Sequence, residues 1–169
     1  MPAVIPIINY TDNFLLAVRE AGGLMFFYPG EPRWRYSAKY EPRFAGRENM
    51  ARRARVKAYA EGLGWCAKSA ARANGPAWEK RHIPMQGGIA LGITVYRKAR
   101  ATSKPDLDNY LKLVSDALTL ARIYTDDAQV TEFFPGSRKV ESPTEGMRVI
   151  VVPDVAVKLL SVKEVLFEP

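Results

Sequence analysis

The chain has 169 residues, 47% hydrophobic and 25% charged, with a formal net charge of +7 and an isoelectric point near 9.6. These proportions suit one folded domain with a substantial core, and no stretch approaches the roughly eighteen apolar residues of a membrane span. The positive excess calls for a polyanionic partner, nucleic acid or an anionic surface. Cys66 is the only cysteine, which excludes an intrachain disulfide and suits a reducing, cytoplasmic setting.

The opening stretch MPAVIPIINYTDNF lacks a basic leader and is broken by proline, so no secretory signal is expected. Thr11 to Ala21 reads as a short helix: Thr11 caps it, Phe14, Leu15 and Val18 form its apolar face, and Gly22-Gly23 ends it. It is expected to pack on the domain or on a partner subunit. Leu24 to Tyr28 is a compact apolar and aromatic run, the expected first strand.

Pro29 to Pro42 is a proline-broken loop carrying Arg33, Trp34, Arg35, Tyr36, Lys39, Tyr40 and Arg43. Such a mixture of rings and cations has two readings. The rings stack on exposed bases while the cations meet phosphates, or Trp34 and Tyr36 pin the loop to the core. Arg47 to Ala73 reads as a long helix, with Val56, Tyr59, Ala60, Leu63, Ala67 and Ala70 as its buried stripe and a kink expected at Gly62 and Gly64. Arg52, Arg53, Arg55 and Lys57 crowd its first half with little acidic compensation. A solvated face is the ordinary meaning of such a run; contact with a DNA backbone is the reading preferred here.

Asn74 to Gly87 reads as a linker, and its His82, the only histidine, is expected to be structural or solvent-exposed. Gly88 to Lys98 is an expected strand, in which Ile89, Leu91, Ile93 and Val95 alternate with smaller or polar residues. From it the chain passes Arg97, Lys98, Arg100 and Lys104 into the most distinctive stretch, SKPDLDNYLKLVSDALTLARIYTDDAQVTE, Ser103 to Glu132.

Here Pro105 biases Lys104 to an extended backbone, and an extended continuation would turn Asp106 and Asp108 to one face. Leu111, Val114, Leu118 and Ala121 then mark a buried helix, on which Asp108 and Lys112, four apart, are surface neighbours. Asp126 and Asp127 follow in a turn. Each acidic residue has an ordinary role, as a helix cap, a surface ion pair or a turn former. Together, two acidic pairs and a lysine around one helix point instead to a divalent metal site. Mg²⁺ is the natural ion, since it takes a few carboxylate oxygens and keeps waters that a substrate displaces.

After the turn, Val130 to Phe134, Arg138 to Glu141 and Met147 to Val152 read as strands, expected to form a terminal meander; Val155 to Phe167 closes the chain as a strand or an interface helix. The expected fold is a single mixed α+β (α/β) domain, a small mixed sheet with packed helices.

The run KPDLDNYLKLVSDAL…IYTDDAQV closely resembles the signature of the RusA family of Holliday junction resolvases, and the similarity extends from about Leu24 to Pro153. The resemblance implies a Mg²⁺-dependent endodeoxyribonuclease, with Mn²⁺ a substitute ion, that works as a homodimer on four-way DNA junctions in recombination and repair. It implies metal ligation by Asp106, Asp108 and Asp127 and a catalytic role for Lys112; beside them Asp126 is expected as an outer supporting partner. Residues 24–153 are then the nuclease domain, with 1–23 and 154–169 as extensions. A bacterial or phage-encoded cytoplasmic enzyme is implied, without membrane contact. Arg33, Arg35, Arg52, Arg53, Arg55, Lys57, Arg100 and Lys104 are the candidate DNA contacts. The family's proline- and asparagine-rich segment after the first strand is not matched in Pro29–Pro42, so no substrate contacts carry over there. Rival readings are a Mg²⁺ nuclease acting on flaps or forks, and a basic DNA-binding module without catalysis.

Overall fold

The computed structural model describes residues 12–34, 47–99 and 105–160. In chain order these form α1 (Asp12–Glu20), β1 (Leu24–Pro29), α2 (Arg47–Ala73), α3 (Pro76–His82), β2 (Ile89–Arg97), α4 (Leu107–Leu120), a 3-10 turn (Asp127–Gln129), β3 (Val130–Phe133), β4 (Arg138–Glu141), β5 (Gly146–Pro153) and a second 3-10 turn (Asp154–Ala156). The domain is mixed α+β.

The sheet runs β1-β5-β2-β3, with β4 also paired to β2. The last strands therefore do not form the expected meander. β5 inserts between β1 and β2, antiparallel to both, while β3 and β4 both lie parallel to β2 along one edge, β3 beside Ile89–Leu91 and β4 beside Thr94–Arg97. The central position of β5 explains its near-continuous apolar sequence, GMRVIVVP, since a strand paired on both sides and covered on both faces has little water to meet.

One face of the sheet carries the main core. Leu24 and Phe26 of β1, Ile89, Leu91, Ile93 and Val95 of β2, and Met147, Val149 and Val151 of β5 meet Tyr59, Leu63 and Ala67 of α2 and Tyr110, Leu111, Val114 and Leu118 of α4. The alternation in β2 thus faces the core as its period predicts. Its other residues are buried as well, because the opposite face is covered: Ala90, Ile150 and Val152 pack with Phe14, Ala17 and Val18 of α1 and with Ala156, Val157 and Leu160 after β5. The first helix therefore packs on the domain itself, and 157–160 are helical.

Three local expectations change. α2 runs unbroken through Gly62 and Gly64, and Gly62 serves close packing instead, for a Cβ there would collide with the Tyr28 hydroxyl. The supposed linker contains α3, which starts with proline in its first turn after Gly75 and buries none of its residues, so it offers no apolar stripe to read. His82 at its end stacks at 4.8 Å on Trp78 and covers Gly22, a structural position.

Candidate active site

α4 is the crossover of a parallel β2–α4–β3 unit, and it places the acidic residues. Its buried face holds Tyr110, Leu111, Leu113, Val114, Ala117 and Leu118, so the intervening positions are turned to solvent. Asp106 occupies the N-cap position with extended backbone (φ −68°, ψ 154°), but its carboxylate makes no capping hydrogen bond. The capping alternative for this side chain is therefore not realised. Asp108 is already helical, so the two aspartates do not share an extended strand; both are exposed all the same. Lys112 Nζ donates to Asp108 Oδ2 at 3.0 Å, with the side chains 60% and 55% exposed. Asp106, Asp108 and Lys112 thus share the first two turns of one helix.

The second acidic pair is divided in its duties. Asp126 accepts from the Ala128 N–H at 2.8 Å and caps the 3-10 turn, with Gln129 completing a reciprocal capping box. Its carboxylate is thereby spent on structure. Asp127 is exposed, and its carboxylate makes no hydrogen bond or ion pair among the described residues; its carbonyl accepts from the Val130 N–H. The turn is tied to α4 by Tyr124, whose buried phenol meets the Ser115 carbonyl at 3.2 Å and hydroxyl at 3.0 Å. Burial raises the Tyr124 pKa, hydrogen bonds to Ser115 and Thr119 oppose that, and the charges of Asp127 and Asp116 add to it. Ser115, the α4 residue that anchors this turn, is seven residues beyond Asp108, about 10 Å along the helix axis.

The donor chemistry here is carboxylate oxygen alone, which fits a hard divalent cation. Among the described residues no three His, Cys, Asp or Glu side chains converge on a single ion position. The fit is therefore to an ion held by one or two carboxylates and completed by water and phosphate, the usual habit of Mg²⁺.

The candidate DNA contacts separate in the same way. Arg33 is half-buried and paired with Glu31 at 3.1 Å. On α2, Arg53, Arg55 and Lys57 are exposed, Lys57 lying 3.9 Å from Glu61, whereas Arg52 is half-buried toward the core side. Arg35, Arg100 and Lys104 lie outside the described residues. Of the two readings for Trp34, the core wins: its ring packs edge-on to Tyr110 at 5.9 Å with the Arg97 guanidinium 5.6 Å above it. Tyr36 lies outside the described residues.

Two contributors escape a reading of local sequence. Lys139 of β4 donates to the Pro105 carbonyl at 3.1 Å and so holds the residue just before Asp106, across 34 positions of chain. Gln129 had an available signal, since Asp126-x-x-Gln129 has capping-box spacing. No helix among the described residues is long and apolar enough to cross a membrane.

The model of the family Endodeoxyribonuclease RusA matches residues 29–151. A crossover junction endodeoxyribonuclease rusA of Lactococcus phage r1t is 33% identical over 55 residues, 30% of this chain and 42% of that protein. The matched stretch thus spans less than half of that curated relative. With the family match extending over most of its length, the chain belongs to the endodeoxyribonuclease RusA family.

Proposed function

We propose that this chain is a Mg²⁺-dependent endodeoxyribonuclease that resolves four-way DNA junctions by paired, symmetric nicks. The observation that carries the reading is the exposed group of Asp106, Asp108 and Lys112 on the opening turns of α4, in a member of the endodeoxyribonuclease RusA family. The nuclease unit is taken as 24–153, with 1–23 and 154–169 as extensions, acting in the cytoplasm of a bacterium or of a phage host.

Asp106, Asp108 and Asp127 are the proposed ligands, one or two of them holding the ion directly in this arrangement and the remainder acting through its waters, with Mn²⁺ a substitute. When bound, such an ion polarises a phosphate and lowers the pKa of an attached water. The protein's part is positioning and charge. Lys112 Nζ meets negative charge as it develops on the phosphate, oriented for that by Asp108. Asp126 acts at one remove, by fixing the turn beside Asp127. Arg53, Arg55 and Lys57 supply backbone attraction without sequence preference, so binding weakens as salt rises. Two copies related by a two-fold axis supply two identical sites, one for each nick.

The test is cleavage of a labelled four-way junction beside linear duplex of the same sequence, with and without Mg²⁺. Paired Mg²⁺-dependent nicks in the junction alone support the proposal. Equal cutting of duplex, flaps and forks would replace it with a structure-tolerant nuclease. Tight binding without cleavage in Mg²⁺ or Mn²⁺ would replace it with a binding module.

A further inference from the structure

The turn that presents Asp127 is gripped by a single amide. Gln129 Oε1 accepts from the backbone N–H of Thr125 at 2.8 Å and of Asp126 at 3.0 Å. Its Nε2 donates to the carbonyls of Met85 and Gly87, each at 3.0 Å. A primary amide has one oxygen with two lone pairs and one nitrogen with two hydrogens. All of that capacity is used here.

The two halves of the amide do different things. The acceptor bonds close the turn upon itself, immediately before Asp127. The donor bonds lash it to residues 44 and 42 positions earlier in the chain. That earlier segment is itself anchored, because the Met85 N–H donates to the Ile123 carbonyl at 2.8 Å, Met85 bridges to Tyr124, and the Met85 side chain is buried. The Asp127 side chain is exposed, and its carboxylate makes no hydrogen bond or ion pair among the described residues. Where it can reach therefore depends on the backbone that carries it, and Gln129 holds that backbone from both sides.

We propose that Gln129 is a positioning residue for the nuclease site: it locks the 125–127 turn onto the 85–87 segment and so fixes the backbone position from which the Asp127 carboxylate reaches the site. The proposal rests on the reading of Asp127 as a site residue. It also gives the segment between α3 and β2 a purpose, as the platform on which one side of the site is mounted.

The experiment uses the full chain and compares wild type, Gln129→Met, Gln129→Glu and Asp127→Asn. Gln129→Met keeps the side chain's length and loses all four bonds; Gln129→Glu keeps an acceptor toward the turn but sets a carboxylate oxygen against the Met85 and Gly87 carbonyls. In Gln129→Met, hydrogen exchange read by NMR should show the Thr125 and Asp126 amides losing protection, while the α4 amides keep theirs. A displacement of about 1 Å in a reacting constellation costs about a hundredfold. Junction cleavage in Mg²⁺ should therefore lose about that factor in kcat, with KM and metal-free junction affinity within about twofold. Gln129→Glu should keep the turn amides protected, fall between the two in kcat, and serve alone if Gln129→Met does not fold. Wild-type kcat in either Gln129 variant, with Asp127→Asn inactive, overturns the positioning role and leaves the site reading intact. A drop in kcat matched by global loss of amide protection overturns it too, as the mark of a merely structural residue. Wild-type cleavage by Asp127→Asn overturns the site reading, and the proposal with it.

Discussion

Replacing Lys112 with methionine separates a surface ion pair from a catalytic group. The pair it makes with Asp108 is four residues apart on a helix, 3.0 Å long, and more than half exposed at both ends. Pairs of that kind contribute about 0.3–0.5 kcal/mol, because water screens the charges and ordering two long side chains costs entropy. In a chain of this size about 1 kcal/mol moves the melting temperature by about 2–4 °C, so Lys112→Met should shift it by no more than about 2 °C. The folded population at assay temperature is then unchanged. If Lys112 Nζ instead meets charge developing on the phosphate, its removal forfeits about 3–4 kcal/mol of transition-state stabilisation, a loss in kcat of about a hundred- to a thousandfold. The two accounts differ by nearly an order of magnitude in free energy. Thermal melts and single-turnover cleavage of a four-way junction in saturating Mg²⁺, on the same preparation, read both quantities. A kcat within about fivefold of wild type, beside an unshifted melt, would refute the catalytic role and leave only the surface pair.

Other consequences concern the packing behind the site. Gly62→Ala should destabilise the fold by about 1 kcal/mol despite alanine's better helix propensity, since the new methyl would lie 2.8 Å from Tyr28 Cζ, and that ring is held edge-on by Tyr59 at 4.8 Å; a denaturant melt showing stabilisation would contradict this. Tyr59 and Tyr124 are both raised above the ordinary tyrosine value of 10.0, chiefly by burial. A raised folded-state pKa means that stability is intact below about pH 10 and is lost as pH climbs beyond it, because the unfolded chain ionises first. Tyr59→Phe should therefore flatten the alkaline limb of the stability curve. At neutral pH it should cost little, as the Tyr59 hydroxyl makes no hydrogen bond among the described residues; an unchanged alkaline slope would contradict the assignment.

What could be read directly from the chain was whatever depends on neighbours a few positions apart. The stripe from Tyr59 to Ala67 located α2 with its observed ends, and the spacing of Asp108 and Lys112 foretold their contact. A compact apolar and aromatic run likewise found β1, and hydrophobic alternation found β2. Pairing partners are a different matter, because a strand's own pattern does not name the edge it joins. β5 was recognised as a strand, yet its place between β1 and β2 depends on contacts with residues more than 50 positions away. α3 was missed because its ring contacts, Trp78 against His82, leave no buried stripe. In the site, residue types pointed to the carboxylates, but the division of labour between Asp126 and Asp127 appeared only with the hydrogen bonds. Gln129 and Lys139 reach across the chain to their partners, which no local spacing reveals.

The central claim is that the aspartates at the start of α4 act in phosphodiester cleavage and do not merely shape the fold. Its most direct test is Asp108→Asn, measured for junction cleavage in Mg²⁺ and for junction binding without metal. Asparagine preserves size and helix position while removing the charge. The account predicts that cleavage disappears while binding is retained or strengthened, since one negative charge facing the phosphates has gone. Cleavage at the wild-type rate by a properly folded Asp108→Asn protein would contradict it.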